Sequence, residues 1–468
     1  MSSSDAHCST AIVGGGCSGL LVAVHLFRNG YRGHVTVIEP RKRLGAGLAY
    51  STSFDRHLLN VPASKMSAIP GQPADFLEWL RARHWPDAKP ETFAPRRLFG
   101  EYLREVLDQT LGDSGGANFS HIRAEAIDAR AEGSGASVTL SDRKTVHADR
   151  VVLALGNPAS CPTPGLLRTG NEDRWQLSPW LRDGLHVRFA GERILLLGTG
   201  LTAVDSVLAL HSQEMACEVY MLSRRGILPQ VHNVQVPIPE PPVLRNRGNL
   251  RLLMQEVRAH IETARQADLC WRAIVDSLRP ISNQVWEELP AAQQQRFLRH
   301  LKKYWEPHRH RMAPEIRERL EGYKASGTLQ IMAGRLEEIC SRGRDTHVRV
   351  QLKRGGEREF DVDRIISCTG IQENYANHPR PLAQTLMAHG LARPNDLGIG
   401  FQTDGHGALL DCNRRPSSVF FTLGPPRRGE LFETTAVPEI RVQAESLALR
   451  LLRQSPASIT PALEQKAM

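Results

Sequence analysis

Closely spaced pairs of cysteines are missing from this 468-residue sequence, although it contains eight cysteines. These are Cys8, Cys17, Cys161, Cys217, Cys270, Cys340, Cys368 and Cys412. No two of them form a C-x-x-C motif, and none joins histidines at a spacing typical of metal ligands. We therefore expect no paired thiol that relays electrons to a disulfide, and the sequence predicts no metal site.

Long apolar runs are missing as well. No segment reaches the length of about 20 apolar residues that spans a bilayer, and the polar start from Met1 to Thr10 has no features of a secretory leader. We therefore expect a cytoplasmic protein without a membrane partner. Hydrophobic residues make up 41% and charged residues 23% of the chain, which is typical of a globular protein, and the length predicts about three domain-sized pieces.

Acidic residues are outnumbered by basic ones. The net charge is +9, and about six of these charges fall between Pro241 and Gln330. Such an excess is one signal of a nucleic-acid or other acidic partner. Here the basic residues alternate with apolar residues and glutamates, as on a solvated helix face. The pattern favours a solvated face over nucleic-acid binding.

An internal repeat is the most informative feature that is present. Each copy reads as a strand, a glycine turn, a helix and a second strand. In the first copy these segments are Thr10 to Val13, Gly14 to Gly19, Leu20 to Arg28 and Val35 to Ile38. In the second copy they are Arg193 to Leu197, Gly198 to Ala203, Val204 to Leu210 and Glu218 to Leu222. The repeat predicts an α/β protein with two Rossmann-like, doubly wound dinucleotide-binding domains and a mostly helical insertion.

The glycine turns have the spacing that dinucleotide binding requires. The first glycine permits a tight turn, the second lets the backbone approach a pyrophosphate, and the third small residue lets helix and strand pack closely. The helix N-terminus then presents free amide groups to the phosphates. The predicted cofactor-binding residues of the turns are Gly14, Gly16, Ser18 and Gly19 in the first copy and Gly198, Gly200 and Ala203 in the second.

The residue after the second strand distinguishes the two nucleotides. Glu39 can accept hydrogen bonds from both ribose hydroxyls of an adenosine and would repel a 2′-phosphate, which suits FAD. Ser223, Arg224 and Arg225 instead offer cationic donors to a 2′-phosphate. We therefore expect FAD in the first domain and NADPH in the second. The alternative for the two arginines is an ordinary position on the surface.

Interruptions of the repeat divide the chain into domains. We assign residues 1–165 to the first part of the FAD-binding domain, and residues 190–240 and 327–370 to the NADPH-binding domain. Residues 241–326 form the helical insertion between the two NADPH segments. Residues 371–468 return to the FAD domain and end in a C-terminal helix.

The returning segment has a glycine and a predicted helix start. Gly424 follows the predicted strand from Ser418 to Leu423, and Pro438 and Glu439 have the character of a first helical turn just after Thr435. Such a helix would direct its positive end at the pyrimidine edge of a flavin. We expect Gly424 and Thr435 to contact the cofactor; an ordinary C-terminal helix explains the pattern equally well.

The loop after Glu39 is the expected wall of a flavin-ring pocket, because ligands bind at the carboxyl edge of a parallel sheet. Within it we predict that His57 and Asn60 are catalytic, with a purely structural loop as the alternative. A second stretch, Trp305 to Arg311, is dense in cations and imidazoles. Three interpretations of it stay open: a metal site, an anion-binding site, and a solvated or ion-paired helix start, which is favoured.

With these residues in place, the chain resembles the flavoproteins that have two dinucleotide-binding domains. Within them it resembles the bacterial YdhS-type FAD/NAD(P)-binding proteins, which are related to flavin-dependent N-hydroxylating monooxygenases. The resemblance covers nearly the full length. It is found in Val13 to Gly19, Leu44 to Tyr50, His57 to Ser67, Phe93 to Tyr102, Gly198 to Asp205, His308 to Pro314 and Gly424 to Gln443.

The resemblance implies hydride transfer from NADPH to FAD but not one defined reaction. The aromatic and histidine fingerprint of the main flavin-containing and Baeyer-Villiger monooxygenases is absent after Ala203. Gly424 is followed by Pro425, where disulfide reductases have an aspartate.

Three hypotheses therefore stay open. The first is a monooxygenase that uses molecular oxygen to hydroxylate a small molecule such as an amine, and the relation to N-hydroxylases favours it. The second is an NADPH-dependent flavin reductase or dehydrogenase without oxygen insertion. The third is a flavin-bound sensor or binding protein whose basic insertion docks an acidic partner or nucleic acid. The oligomeric state stays open too.

Overall fold

The computed structural model describes residues 8–115, 118–158, 175–176, 178–180, 184–233, 237–342, 345–371 and 373–453. Cys161 lies outside these residues. The strands are β1 (Thr10–Val13), β2 (Val35–Ile38), β3 (Phe119–Ile122), β4 (Ala126–Glu132), β5 (Gly135–Leu140), β6 (Thr145–Ala148), β7 (Arg150–Leu153), β8 (Trp175–Gln176), β9 (Glu192–Leu197), β10 (Cys217–Ser223), β11 (Leu329–Arg342), β12 (Asp345–Leu352), β13 (Glu357–Val362), β14 (Arg364–Ser367), β15 (Ala408–Leu410) and β16 (Pro416–Thr422). The helices are α1 (Cys17–Arg28), α2 (Asp75–Arg83), α3 (Arg96–Asp113), α4 (Leu201–Leu210), α5 (Leu250–Gln266), α6 (Trp271–Ser277), α7 (Ser282–Glu288), α8 (Ala291–His300), α9 (Lys302–Arg309), α10 (Pro314–Ala325), α11 (Pro381–Ala388) and α12 (Val437–Arg453).

The first domain is built on a six-stranded sheet in the order β15-β16-β7-β1-β2-β3. β1 pairs in parallel with β2 and β7, so that Val13 lies beside Ile38 and Leu153. Every residue of β1 and β2 is buried, as expected for parallel strands that are covered on both faces. The parallel order brings the turn at Gly14 and the side chain of Glu39 to the same carboxyl edge of the sheet.

Helices cover one face of this sheet and a smaller sheet covers the other. α1 packs against α3 and α12 in a core that includes Leu21, Phe99 and Leu447. On the opposite face, the three-stranded antiparallel sheet β4-β5-β6 and α11 form a core around Val138 and Leu386. The C-terminal helix α12 therefore completes the core of the first domain.

The second domain is built on a seven-stranded sheet in the order β13-β12-β11-β10-β9-β14-β8. β9 pairs in parallel with β10 and β14, which repeats the arrangement of β1. β11 begins parallel to β10, with Leu329 beside Val219, and continues from Gly334 as the antiparallel partner of β12. β11 is thus one long strand whose second part turns away from the parallel sheet.

The segment between β10 and β11 contains helices α5 to α10, which confirms a mostly helical insertion. Asn249 caps α5, because its side-chain oxygen accepts two backbone hydrogen bonds from the first turn. The insertion contacts the returning segment of the first domain. The indole of Trp286 donates a hydrogen bond to the carbonyl oxygen of Gly429 at 2.8 Å, and Phe432 packs against the same small apolar core.

Two parallel sheets with helices on their faces confirm the predicted α/β class with two Rossmann-like domains. In the part of the chain that the structure describes, no helix is both long enough and apolar enough to cross a bilayer.

Candidate functional site

Backbone carbonyl groups lie very close to two glycines of the first turn. Gly14 has a φ of +104°, and a Cβ atom there would lie 2.3 Å from the carbonyl oxygen of Ala154. A Cβ atom on Gly19 would lie 1.9 Å from the carbonyl oxygen of Gly14. Both positions require glycine for the packing of the protein itself. The turn leads into α1, whose first turn has no acidic residue that would offset its partial positive charge.

Gly16, which caps α1, has a different environment. Its φ of −73° is open to any residue, and the nearest atom to a Cβ there would be the Cα of Gly47 at 3.4 Å. The fold therefore tolerates a side chain at this position. A glycine is needed here only if a ligand approaches the helix N-terminus, as predicted for a pyrophosphate.

Glu39 follows β2 and is 6% exposed. Its Oε2 accepts a hydrogen bond from the amide of Gly15 at 3.0 Å, and its Oε1 accepts one from the amide of Arg41 at 3.0 Å. These bonds hold the carboxylate beside the glycine turn. A carboxylate offers about four acceptor sites, so acceptors remain for the ribose hydroxyls of an adenosine. The geometry fits the predicted role in FAD binding.

The returning segment meets the first turn at Gly424, where a Cβ would lie 3.0 Å from the Oγ of Ser18. The amide of Gly424 donates to the Oε1 of Gln443 at 2.9 Å, and its carbonyl oxygen accepts from the hydroxyl of Thr434 at 2.8 Å. Gln443 also donates to the Oγ1 of Thr434 at 3.0 Å. Sequence reasoning missed Thr434 and Gln443, which hold this loop against the turn.

Helix α12 begins at Val437, so Pro438 and Glu439 lie in its first turn as predicted. The carbonyl oxygen of Ala436 accepts a hydrogen bond from the first turn of the helix. Thr435 is half-buried just before this point. Within the described residues its side chain makes no hydrogen bond, so the hydroxyl is available to a ligand. Contact of Thr435 with FAD stays a prediction.

The second glycine turn resembles the first: its first glycine is required by packing, and its second glycine is not. Gly198 has a φ of +131°, and a Cβ there would lie 2.4 Å from the carbonyl oxygen of Cys368. Ala203 is fully buried where α4 leaves the sheet. Gly200, which caps α4, has a φ of −78° and no atom within 4 Å of a Cβ position. The fold requires glycine at Gly198, whereas no neighbour in the described part of the chain requires it at Gly200.

Ser223 ends β10 beside this turn. Its Oγ accepts a hydrogen bond from the amide of Gly226 at 2.9 Å and lies 2.9 Å from the Oγ1 of Thr199. Ser223 therefore anchors the loop that presents the two arginines. Arg224 is exposed, and among the described residues its side chain has no partner.

Arg225 lies against the helical insertion. Its Nε donates to the hydroxyl of Tyr304 at 3.3 Å, and its guanidinium lies 5.2 Å from the centroid of that ring. The ammonium of Lys303 lies 5.6 Å from the same centroid. The hydrogen bond and charge of Arg225, followed by the charge of Lys303, lower the pKa of Tyr304. Sequence reasoning missed Tyr304 and Lys303, which lie near residue 300 and join this cationic group only through folding.

His57 is completely buried between the two domains. Its Nε2 donates to the carbonyl oxygen of Asp205 in α4 at 2.9 Å, and its Nδ1 accepts from the hydroxyl of Thr52 at 2.7 Å. Burial is the main cause that lowers the pKa of His57. The imidazole is thus neutral, and both of its nitrogens are engaged within the protein.

Asn60 lies three residues further along the same loop and is half-buried. Its carbonyl oxygen accepts a hydrogen bond from the Nε2 of His232 at 2.9 Å. Its side-chain amide has no partner among the residues that the structure describes. Of the two predicted catalytic residues, Asn60 is the one whose side chain is free to meet a ligand.

Replacing His57 with glutamine is expected to reduce the loss of stability in acid. Because its pKa is lowered in the folded chain, His57 stays neutral there while the unfolded chain takes up a proton as the pH falls through about 6.5. That proton lowers the free energy of unfolding by up to about 1.4 kcal/mol per pH unit. Glutamine keeps a donor for Asp205 and an acceptor for Thr52. Urea unfolding between about pH 7.5 and 5.5 tests this; an unchanged pH dependence would contradict it.

The stretch from Trp305 to Arg311 covers the end of α9 and the two residues after it, so it is not a helix start, but it is ion-paired as the favoured interpretation expected. Arg309 donates to both carboxylate oxygens of Glu433 at 2.7 and 3.1 Å, and this pair is buried. Arg311 is also buried and donates to Asp276. The sequence did not indicate which acids pair with these arginines, because the acids lie far from the stretch in sequence. No three His, Cys, Asp or Glu side chains of the described residues lie close enough to hold a metal ion.

The two sheets and their glycine turns define an α/β protein with two Rossmann-like domains. Residues 11–158 match the model of an FAD-NAD(P)-binding family. This part of the chain, which includes the first glycine turn and Glu39, is therefore an FAD/NAD(P)-binding domain. No curated protein matches the sequence. Membership in the YdhS-type group stays a prediction.

Solved flavoprotein structures share the fold over nearly the whole chain. An ornithine N-hydroxylase from Kutzneria sp. 744, with reduced FAD, NADP+ and L-ornithine, matches with a TM-score of 0.65 and 14% identity over 95% of this chain and 99% of that one. An L-lysine 6-monooxygenase from Pseudomonas syringae matches with a TM-score of 0.65 and 15% identity over 96% and 100%. A thioredoxin reductase from Lactococcus lactis matches with a TM-score of 0.51 and 12% identity over 96% and 98%. At these identities the likeness establishes the fold alone.

Proposed function

We propose that this protein is an FAD-dependent oxidoreductase that takes hydride from NADPH, and that it is a monooxygenase acting on a small molecule. The observation that supports binding of the two dinucleotides most directly is the pair Gly16 and Gly200. Each caps a helix whose N-terminus would hold a dinucleotide phosphate, and at each the described residues leave room for a side chain. Glu39 near the first glycine supports FAD at the first turn, and Arg224 with Arg225 near the second supports NADPH at the second turn.

On the flavin side, the residues supply placement and charge. The N-terminus of α1 would hold the pyrophosphate, and Glu39 the ribose. Gly424 and Thr435 lie before α12, whose positive end would offset the negative charge that reduction adds to the pyrimidine edge. When bound there, FAD supplies a hydride acceptor whose reduced form passes electrons on to a second substrate.

We further propose that His57 positions the segment between β2 and α2, which we call the flavin-side loop, and does not itself transfer protons. Its two hydrogen bonds fasten this loop to α4 of the second domain. A movement of one domain relative to the other would therefore also displace this loop. Asn60, whose amide is free, is proposed to contact the flavin or the substrate directly.

Electrons are proposed to leave through a small molecule and oxygen and not through protein thiols. Burial raises the pKa of Cys17, in the first turn, to about 12. Burial also raises the pKa of Cys368, beside the second turn, to about 12. Both thiols are therefore protonated at neutral pH and poor nucleophiles. The fold likeness to the ornithine and lysine hydroxylases supports N-hydroxylation of an amine.

Stopped-flow oxidation of the NADPH-reduced protein by air tests the proposal. A monooxygenase is expected to show a transient absorbance band that matches neither reduced nor oxidised flavin, because a dry pocket protects the oxygenated state. Direct return to oxidised flavin with release of peroxide would favour a reductase without oxygen insertion. Failure of NADPH to reduce the flavin would reject both and leave a flavin-bound binding protein.

Replacing Arg224 and Arg225 together with alanine is expected to raise the Michaelis constant for NADPH by about tenfold or more, because two charge-assisted contacts to the 2′-phosphate are lost. The constant for NADH should change by less than about twofold, since NADH has no such phosphate. Steady-state flavin reduction with each nucleotide measures this. Replacing the exposed Arg251 with alanine serves as the control for a change in surface charge. Equal effects on NADPH and NADH would remove the case for a 2′-phosphate site.

A further inference from the structure

Arg311 is a buried cation with part of its hydrogen-bonding capacity unused. Its side chain is 2% exposed, and its Nη2 donates to Asp276. Among the described residues, its Nε and Nη1 have no acceptor. A guanidinium stays charged at any physiological pH, and leaving its donors unpaired in a buried place is costly. Arg311 therefore needs a hydrogen-bond acceptor that the described residues do not provide.

The surroundings of Arg311 are cationic. Arg272 donates from its Nε to the carbonyl oxygen of Val231 at 2.7 Å, and its guanidinium lies 4.5 Å from the ring centroid of Trp271. The guanidinium of Arg311 lies 6.0 Å from the same centroid. The two cations thus share one aromatic ring.

Lys65 adds a third cation. Lys65 as a whole is exposed, but desolvation of its ammonium lowers its pKa first; the charge of Asp276 opposes this, while Arg279, Arg311 and Arg309 lower the pKa further. The loop that carries Lys65 is joined to the segment of Arg311 through His232, which donates hydrogen bonds to the carbonyl oxygens of Asn60 and Met312. Burial and then the charge of Arg311 likewise lower the pKa of a neighbouring imidazole, His232, to about 4, so it is neutral and adds no charge.

The cationic cluster consists of Lys65, Arg272, Arg279, Arg309 and Arg311. The carboxylates near it do not balance its positive charge. Arg279 is paired with Glu439, Arg309 with Glu433, and Arg311 with Asp276. Within the described part of the chain, Lys65 and Arg272 have no carboxylate of their own. The charges of Lys65 and Arg272 and two N–H groups of Arg311 are therefore unpaired. An oxyanion has the negative charge and the acceptor oxygens that would pair with them.

The cluster lies where three parts of the molecule meet. Lys65 belongs to the flavin-side loop of the first domain, and His232 joins that loop through the carbonyl oxygen of Asn60. The backbone amide of His232 also donates to the carbonyl oxygen of Met312 at 3.0 Å, next to Arg311. The ion pairs of Glu433 and Glu439 connect the cluster to the start of α12. A molecule bound here would lie beside the segments expected to surround the flavin ring.

We propose that Arg311, Arg272 and Lys65 bind an oxyanion of the substrate, a carboxylate or a phosphate ester. This rests on the proposed function, because the substrate must reach the flavin-side loop. The three cations would hold one end of the substrate while its oxidisable group faces the flavin. The protein would then select anionic small molecules, and an uncharged analogue of the same length would bind less tightly.

Calorimetric titration of the FAD-loaded protein with sodium phosphate, and separately with sodium acetate, at constant ionic strength tests the proposal. We expect one binding site per chain. Replacing Lys65, an exposed residue, with methionine should weaken anion binding at least about tenfold without disturbing the fold. Arg311→Met should weaken it further. Arg251→Met removes the same charge from the outer face of α5 and should leave the affinity unchanged within about twofold.

The outcomes separate the sources of the anion and the competing explanations. Binding of phosphate alone assigns a phosphate ester, and binding of acetate alone assigns a carboxylate. Displacement of the anion by saturating NADP+ would assign the site to the dinucleotide and overturn the proposal. Absence of binding, or equal affinity in wild type and Lys65→Met, would overturn it as well. Because the titration involves no NADPH turnover, its result does not depend on whether hydride transfer occurs.

Discussion

Replacing Gly16 with valine is expected to give a folded protein that purifies without FAD. The φ of Gly16, −73°, is one that valine adopts readily. Its Cβ would make only an ordinary contact, 3.4 Å from the Cα of Gly47. The added methyl groups would instead occupy the space at the N-terminus of α1. A pyrophosphate that lost its backbone amide contacts there would bind at least about a hundredfold less tightly.

The flavin-to-protein absorbance ratio after gel filtration measures this effect, and circular dichroism checks the fold. Gly248→Val is a control for the added side chain, because Gly248 is an exposed glycine with no atom of the described residues within 4 Å of a Cβ. It should retain a full complement of FAD. Gly19 is unsuitable for this test, since a side chain there collides with the backbone of Gly14 and would destroy the turn itself. A Gly16→Val protein with normal FAD content would refute the assignment of the first turn.

Replacing Gly200 with valine is expected to give a yellow, FAD-loaded protein that NADPH reduces at least about a hundredfold less efficiently. No atom lies within 4 Å of the Cβ position, and the φ of −78° suits valine. The substitution leaves the first domain intact. It removes only the close approach of a dinucleotide to the N-terminus of α4.

Anaerobic reduction by NADPH, followed at the flavin absorbance band, measures the loss. Dithionite should still reduce the flavin of the Gly200→Val protein at the wild-type rate, because it needs no nucleotide site. Normal reduction by NADPH would show that the second turn does not hold the hydride donor. Loss of FAD together with NADPH reactivity would show that the two turns are not independent.

The glycine turns and their strands were predictable because the responsible effects are local. Gly14 and Gly198 have positive φ values that a nearby β-strand and helix impose. Glu39 lies one residue beyond a strand whose apolar run is visible in the sequence, so its place at the sheet edge followed from the strand order. The start of α12 was predictable from Pro438 and Glu439 for the same reason.

The environments of other candidate residues were not predictable. His57 was expected to be catalytic, yet both ring nitrogens bond within the protein. Tyr304 joins the cationic group at Arg225, although 79 residues separate the two. Arg309 and Arg311 were expected to be solvated or ion-paired; both are ion-paired, and both are also buried. In each case the partner comes from a distant part of the chain.

The sequence by itself determined the two dinucleotide turns and the nucleotide that each is expected to hold, because glycine geometry and strand periodicity act over a few residues. Only the tertiary structure decided which side chains remain free to act. His57 is engaged by Asp205 from 148 residues away, and Arg311 meets Asp276 across 35 residues but keeps two donors unpaired. Burial and pairing depend on how distant segments pack, and local sequence does not encode that packing.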